Sequence, residues 1–219
     1  MFESRFADAK RSLSLALLGG TMAFAACTPP AAVPLSGAPL PAMAVPSTEL
    51  PAGHRTVAFR WEYVEENQLT RGDGAVRLAA PDSARLDLFL GAFGGGSAFL
   101  LGDSLIAPLP PGAQKLVPPA TMLWAAFGRL AVPAAADTVV RAQGELIRAD
   151  IGSEPVWRAT FGEGRLIRLE HIAGGRIVEW VERDGAKVLY ASNAAPRRLT
   201  LNITRDEASP PFDRSVWRF

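Results

Sequence analysis

From His54 to the C-terminus the chain alternates apolar and polar residues with a period of two, and glycine-bearing turns interrupt the alternation repeatedly. Val57, Phe59, Trp61 and Tyr63 alternate with Ala58, Arg60, Glu62 and Val64. Side chains of successive strand residues point to opposite faces, so this pattern predicts one aromatic, buried face and one largely polar face. Gln68 to Gly74 reads as a polar turn, and Val76 to Ala80 as a second strand stopped by Pro81-Asp82-Ser83. Further strands are predicted over Arg85–Leu90, Ala98–Leu101, Leu105–Ile106, Glu145–Ile151, Val156–Phe161, Arg165–Ile172, Arg176–Glu182, Lys187–Ala191 and Arg198–Thr204. Spacers such as Gly162-Glu163-Gly164, Gly174-Gly175 and Asp184-Gly185 are hairpin turns by composition. No convincing crossover helix separates the strands, which argues against a βαβ architecture. The expectation is a mainly β, α+β domain built on an antiparallel sheet of about nine to eleven strands.

One segment breaks the rhythm. Prolines at 108, 110, 111, 118 and 119 forbid regular pairing. Between Pro119 and Pro133 the spacing predicts a short helix over Ala120–Leu130, with Leu123, Phe127 and Leu130 on one stripe and Met122 and Ala126 beside it. A helix this apolar belongs against the sheet, either as a plug that fills the concave side or as a lid over vacant space. Trp61, Trp124, Trp157 and Trp180 are the bulkiest apolar groups, and a bare apolar face of that size is rare on a soluble monomer. One short helix covers little of a wide sheet, so lipid, a partner or curling of the sheet itself must cover the rest.

The first 53 residues differ in kind. Arg5, Lys10 and Arg11 precede an uncharged run from Leu13 to Ala26, which is too short to span a bilayer but has the length of a secretory signal. The run ends Phe24-Ala25-Ala26-Cys27, the position of a lipobox and its modified cysteine, with Phe24 where an aliphatic residue is usual. Cys27 is the chain's only cysteine, which excludes an internal disulfide or a cysteine-built zinc site and leaves lipidation as its expected role. A diacylated cysteine suffices for stable membrane anchoring. Thr28 to Gly53 holds seven prolines and a single charge, Glu49, and reads as an extended tether. The predicted organisation is a signal over 1–26, a lipidated cysteine and Pro-rich tether over 27–53, and one domain over 54–219.

Lys and Arg total 23 against 22 Asp and Glu, a net charge of +1, which offers no general attraction for nucleic acid. Three of the basic and two of the acidic residues lie in the signal, so the mature chain is neutral and lipid, not a basic patch, would hold it to a membrane. Gly102-Asp103-Ser104-Leu105 spells an esterase nucleophile block, but the Asp-x-x-His element of such esterases is missing: Arg168 stands three residues before His171 and Pro51 three before His54. A Gly-Asp hairpin turn explains those residues without chemistry. Arg71-Gly72-Asp73 and Asn202-Ile203-Thr204 read as a charged turn and a strand face, and Asp150, Glu170, Glu179 and Glu182 are spread along strands as solvated groups. No enzymatic activity, metal or cofactor is expected.

The combination resembles the LolA/LolB-like superfamily of bacterial outer-membrane lipoprotein carriers and receptors, together with LppX-type lipoproteins. The resemblance rests on the lipobox and tether, the hairpin leading into Arg77-Leu78-Ala79-Ala80-Pro81-Asp82-Ser83-Ala84-Arg85-Leu86-Asp87, the glycine-interrupted hairpin, the Leu123-Trp124 to Gly128 segment and the closing meander, over most of residues 55 to 204. It implies an open antiparallel half-barrel round a short helical lid or plug. It further implies an apolar interior for acyl chains of lipids or lipoproteins, and a place in the bacterial envelope at the outer membrane, facing the periplasm. Gly91-Ala92-Phe93-Gly94 is the candidate for an exposed apolar tip. Thr28 after the cysteine, in place of Asp, permits outer-membrane sorting by the same analogy. On the alternation, the lipid-binding wall would comprise Phe59, Trp61, Leu86, Leu88, Trp157, Ile167, Leu169 and Trp180, with Leu123, Trp124 and Phe127 as the lid. The alternative is the same fold with a filled core, a structural lipoprotein that docks an envelope protein partner.

Overall fold

The computed structural model describes residues 29–90, 94–133 and 135–218. The signal, Cys27 and the Gly91-Ala92-Phe93 part of the candidate tip lie outside the described residues.

Among the described residues thirteen strands form one antiparallel sheet that does not close. The central strands β2 (His54–Glu65) and β3 (Gln68–Ala79) are followed by β4 (Ser83–Phe89), β5 (Gly95–Leu101) and β6 (Ser104–Ile106), which run out to one edge. The chain then crosses by α1 (Pro111–Gln114) and α2 (Ala120–Ala126) to the far edge. There β7 (Val139–Gln143), β8 (Leu146–Ile151), β9 (Val156–Gly162), β10 (Arg165–Ala173), β11 (Arg176–Asp184), β12 (Lys187–Ser192) and β13 (Arg197–Ser209) meander back until β13 pairs with β2. A short β1 (Ala38–Leu40) adds itself to β7. This is the expected open half-barrel with a short helix.

Directly opposed residues share a face, so the inner surface can be followed across the sheet. Val140, Ala149, Ala159, Leu169, Val181, Tyr190, Leu199 and Tyr63 form one continuous buried row from β7 to β2. Against this side lies α2, packed on β10, β11 and β12, with Met122, Leu123, Trp124, Ala125 and Ala126 all buried.

Three local expectations are corrected. Gln68 to Gly74 is strand, not turn. The turn is Glu66-Asn67, whose φ angles of 48° and 65° give the twist that a two-residue hairpin needs. Gly72 and Gly74 look like turn residues but serve packing: a Cβ on Gly72 would run into the Trp61 indole and the Phe89 carbonyl, and one on Gly74 into the Phe59 ring. Gly72→Ala is therefore expected to destabilise the fold by about 2 kcal/mol, read as a lowered urea midpoint at unchanged slope.

The helix is also shorter than expected. It stops at Ala126 because Gly128 adopts φ +91°, and the Gly128 and Arg129 N–H groups turn back to the carbonyls of Ala125 and Trp124.

The third correction concerns the Pro-rich stretch, whose described part is an arm of the domain. Ile177 donates to the Pro30 carbonyl at 3.0 Å and Ala32 to the Gly175 carbonyl at 2.8 Å. Arg158 donates to the Val33 carbonyl at 2.6 Å. Further along, Leu130 donates to the Thr48 hydroxyl at 2.7 Å, and Leu50 enters the main core. Proline is tolerated here because β1 is an edge strand, where a missing N–H breaks no ladder. At the other terminus, Phe212 packs edge-on to His54 and near Trp217, while Arg85 donates to the Val216 carbonyl at 2.9 Å. The C-terminal segment is thus held against the outer face of β4.

Candidate functional site

One end of the half-barrel stays open. A cavity of about 430 Å³ lies there, bounded by the C-terminal end of α2, the arm residues Ser47 to Pro51, the start of β2, the end of β3 and the β9–β10 turn. Its apolar lining is Leu50, Pro51, Val57, Leu78, Ala126, Phe127, Leu166 and Ile203. Its polar lining includes Glu49, Arg55, Arg165, Arg183 and Asp206. The volume and mixture suit a small amphiphile held by a preformed site. A larger hollow of about 810 Å³ lies elsewhere, among the charged outer residues Arg60, Glu62, Arg71 and Asp73, and lacks an enclosed apolar wall.

Two arginines meet the cavity in different states. Arg55 is neutralised by Asp206, with Nη2 and Nε at 2.5 and 3.1 Å from one carboxylate oxygen. Arg183 projects inward from β11, because it is two residues from buried Val181 and directly opposite buried Val188. Its Nη1 makes one long bond, 3.4 Å, to the Leu166 carbonyl, and its Nε is buried without a hydrogen-bond partner. Burial, reinforced by the nearby positive charge of Arg165 and only partly offset by Asp206, pulls its pKa below the ordinary arginine value. Gly128 makes room for this guanidinium, since a Cβ there would collide with it.

A separate polar chain crosses the inner face toward the other end. His171 stacks on Trp157 at 4.4 Å and lies 3.2 Å from Glu179, Tyr190 donates to Glu179 at 2.9 Å, and Arg197 donates to the Tyr190 oxygen at 3.2 Å. Burial first, then the Glu179 charge, pushes the Tyr190 phenol up to about 12. This chain links its members by their own bonds, although the Arg197 Nε is buried without a partner. Ser104 is exposed beside the Gly102-Asp103 turn of the β5–β6 hairpin, while His54 packs on Phe212 and His171 bonds Glu179.

Of the wall and lid residues, Phe127 alone lines the cavity. Phe59, Trp61, Leu86, Leu88, Leu123, Trp124 and Leu169 are buried in the closed core, with Trp157 at its margin. Ile167 and Trp180 are corrections. A bulge between Leu166 and Arg168 shifts the register, and Ile167 lines an outer hollow with Arg148, Thr160 and Glu182. Trp180 opposes Glu170 and Ala191 on the outer face, under the Arg168 guanidinium at 5.7 Å. The reading of β11 missed that Glu179, Val181 and Arg183 share the inner face. Alternation with Val181 was the available signal, but it sets two charged residues inside, against simple hydrophobic patterning.

These features define a class: an open antiparallel sheet curled round a largely buried helix, with a cavity of mixed lining at one end. No family model matches the sequence, and no curated protein matches it. Among solved structures, the chain is similar to a LolA superfamily protein from Nitrosomonas europaea at TM-score 0.50 and 9% identity, over 78% of this chain and 93% of that one. It is also similar to a DUF1329 family protein from Desulfovibrio piger (TM-score 0.49, 4% identity, 77% and 90% covered). A third is a domain described as an outer membrane lipoprotein-sorting protein from Vibrio parahaemolyticus (TM-score 0.42, 8% identity, 77% and 90% covered). The chain has the LolA/LolB-like fold.

Proposed function

We propose that this is a lipid-anchored protein of the bacterial envelope, not an enzyme, that binds an acyl chain of a lipid or lipoprotein in the cavity at the open end of its half-barrel. The observation that carries the reading is the cavity itself: eight apolar side chains, Leu50 and Pro51 among them, line about 430 Å³ on a LolA/LolB-like frame. A methylene displaces about as much as a water, roughly 30 Å³, so the space suits one chain of a dozen or so carbons better than several. Transport of lipid or lipoprotein toward the outer membrane is the role this binding would serve.

Anchoring at Cys27 has a geometric consequence. Pro29 and Pro30 are bound at the β10–β11 turn, whereas the cavity opens beside the β9–β10 turn. The nine residues of β10 separate these ends by about 30 Å. A membrane holding Cys27 would therefore lie at the end opposite the cavity mouth, leaving the mouth toward the periplasm.

Native mass spectrometry of gently extracted protein should show a co-purified lipid, and the delipidated protein should bind an apolar fluorescent fatty acid. Ile203→Trp, placed at the partly exposed edge of the cavity, is expected to weaken that binding by roughly tenfold or more with the fold intact. Protein that is always empty and ignores such probes would remove this reading. The second reading, a structural lipoprotein docking an envelope partner, is favoured by α2, whose residues Met122 to Ala126 are all buried in the main core.

A further inference from the structure

We propose that the cavity selects a single-chain amphiphile with an anionic head, a carboxylate or a phosphate, and that Arg183 is the residue that reads the charge. The proposal rests on the acyl-chain reading above and names the class of ligand for the same site.

Every other cation at the cavity has an anion of its own. Arg55 is held by Asp206, and Arg165 turns to the surface to bond Glu163 at 2.5 Å. Of the arginines that line the cavity, Arg183 is the one with no carboxylate partner, and it stands opposite Val188 and beside Leu166. A buried donor left unmade costs free energy, and a guanidinium costs more than a neutral group. Retaining such a group without a carboxylate, where the other cavity arginines have one, makes sense if a ligand completes it. The guanidinium presents a planar fork whose free edge matches the two oxygens of a carboxylate or phosphate. The guanidinium is half-buried, with Val188 opposite and Leu166 beside it, so a charge-assisted bond formed there is stronger than one on the open surface. The Gly128 backbone clears the space that the fork occupies.

A purely structural arginine, tying β11 to the end of α2, would give a different set of results. The test uses the full chain after delipidation, with dansyl-undecanoic acid and its methyl ester as matched probes. The acid should bind roughly tenfold or more tightly than the ester. Arg183→Gln and Arg183→Met should bring the two to equal affinity by weakening the acid alone, and Arg183→Lys should keep part of the preference. Because the substitution removes an uncompensated buried charge, the melting temperature of the Met variant should stay level or rise, so loss of folding does not cloud the outcome. Displacement by laurate and by dodecyl phosphate identifies the head, and preference for either supports the assignment. Equal binding of acid and ester by the unaltered protein would overturn the role of Arg183 while leaving the acyl-chain reading in place. Inorganic phosphate displacing the probe as well as dodecyl phosphate does would overturn it too, and failure of both probes to bind would remove both readings.

Discussion

Trp124→Ala is expected to lower the stability of the domain by about 4 kcal/mol, enough to unfold a large share of the molecules at physiological temperature. Trp124 is fully buried at the centre of α2. Its indole N–H donates to the Gly102 carbonyl at 2.8 Å, which ties the helix to the β5–β6 turn, and the Arg129 guanidinium stands 4.7 Å from its ring. Removing the indole leaves a cavity and an unpaired carbonyl together, two costs from one substitution. Phe127→Ala, one residue past the helix and already beside open space, should cost markedly less. Chemical denaturation of both variants checks the contrast. Equal, small losses would mean that the helix is a loosely held lid throughout, whereas the structure makes Trp124 a plug and Phe127 a cavity wall.

Asp87→Ala is the second large effect, about 3 kcal/mol at neutral pH. The Asp87 carboxylate lies on the outer face of β4, largely buried. It accepts from Arg77, from Arg85 Nε at 2.8 Å and from the Ser97 hydroxyl at 2.5 Å. Burial alone would raise its pKa, but the Ser97 and Arg85 bonds and the charges of Arg85 and Arg77 outweigh it and hold the carboxyl below its ordinary 3.8. A depressed folded pKa means that the folded state binds the proton less readily than the unfolded chain. The stabilisation is therefore complete above about pH 4 and is lost as the pH falls through the folded pKa. The difference between Asp87→Ala and the unaltered protein should shrink correspondingly in acid. Because Arg85 also donates to Val216, the variant should release the C-terminal segment, seen as faster proteolytic trimming after Ser209. A pH-independent penalty, or a C-terminus no more accessible than before, would count against this account.

The strands themselves were legible. Val57, Phe59, Trp61 and Tyr63 are all buried, as their spacing requires, and Leu86 and Leu88 behave likewise. A period of two is a local property, so a window of seven or eight residues carries it. Local windows failed wherever the deciding partner was distant. Gly72 and Gly74 read as turn because nothing beside them in the chain shows the Trp61 and Phe59 rings that lie over them. Ile167 changed face because of a bulge, which alternation cannot announce. The arm over residues 29–53 has a composition that implies extension, and it is extended. Its docking depends on bonds to Ile177, Arg158 and Leu130, well over a hundred positions away in two of the three cases.

Alternation, turn residues and the isolated apolar stretch before Pro133 thus settled from sequence alone that the chain builds an antiparallel sheet with one buried helix, since each depends on neighbours within a few residues. The cavity, and the arginine left inside it, were decided only by tertiary structure. Val57 and Ile203, Arg55 and Asp206 meet because β13 returns to pair with β2. A void is made by surfaces that fail to touch, and no stretch of sequence records what its remote neighbours leave unfilled.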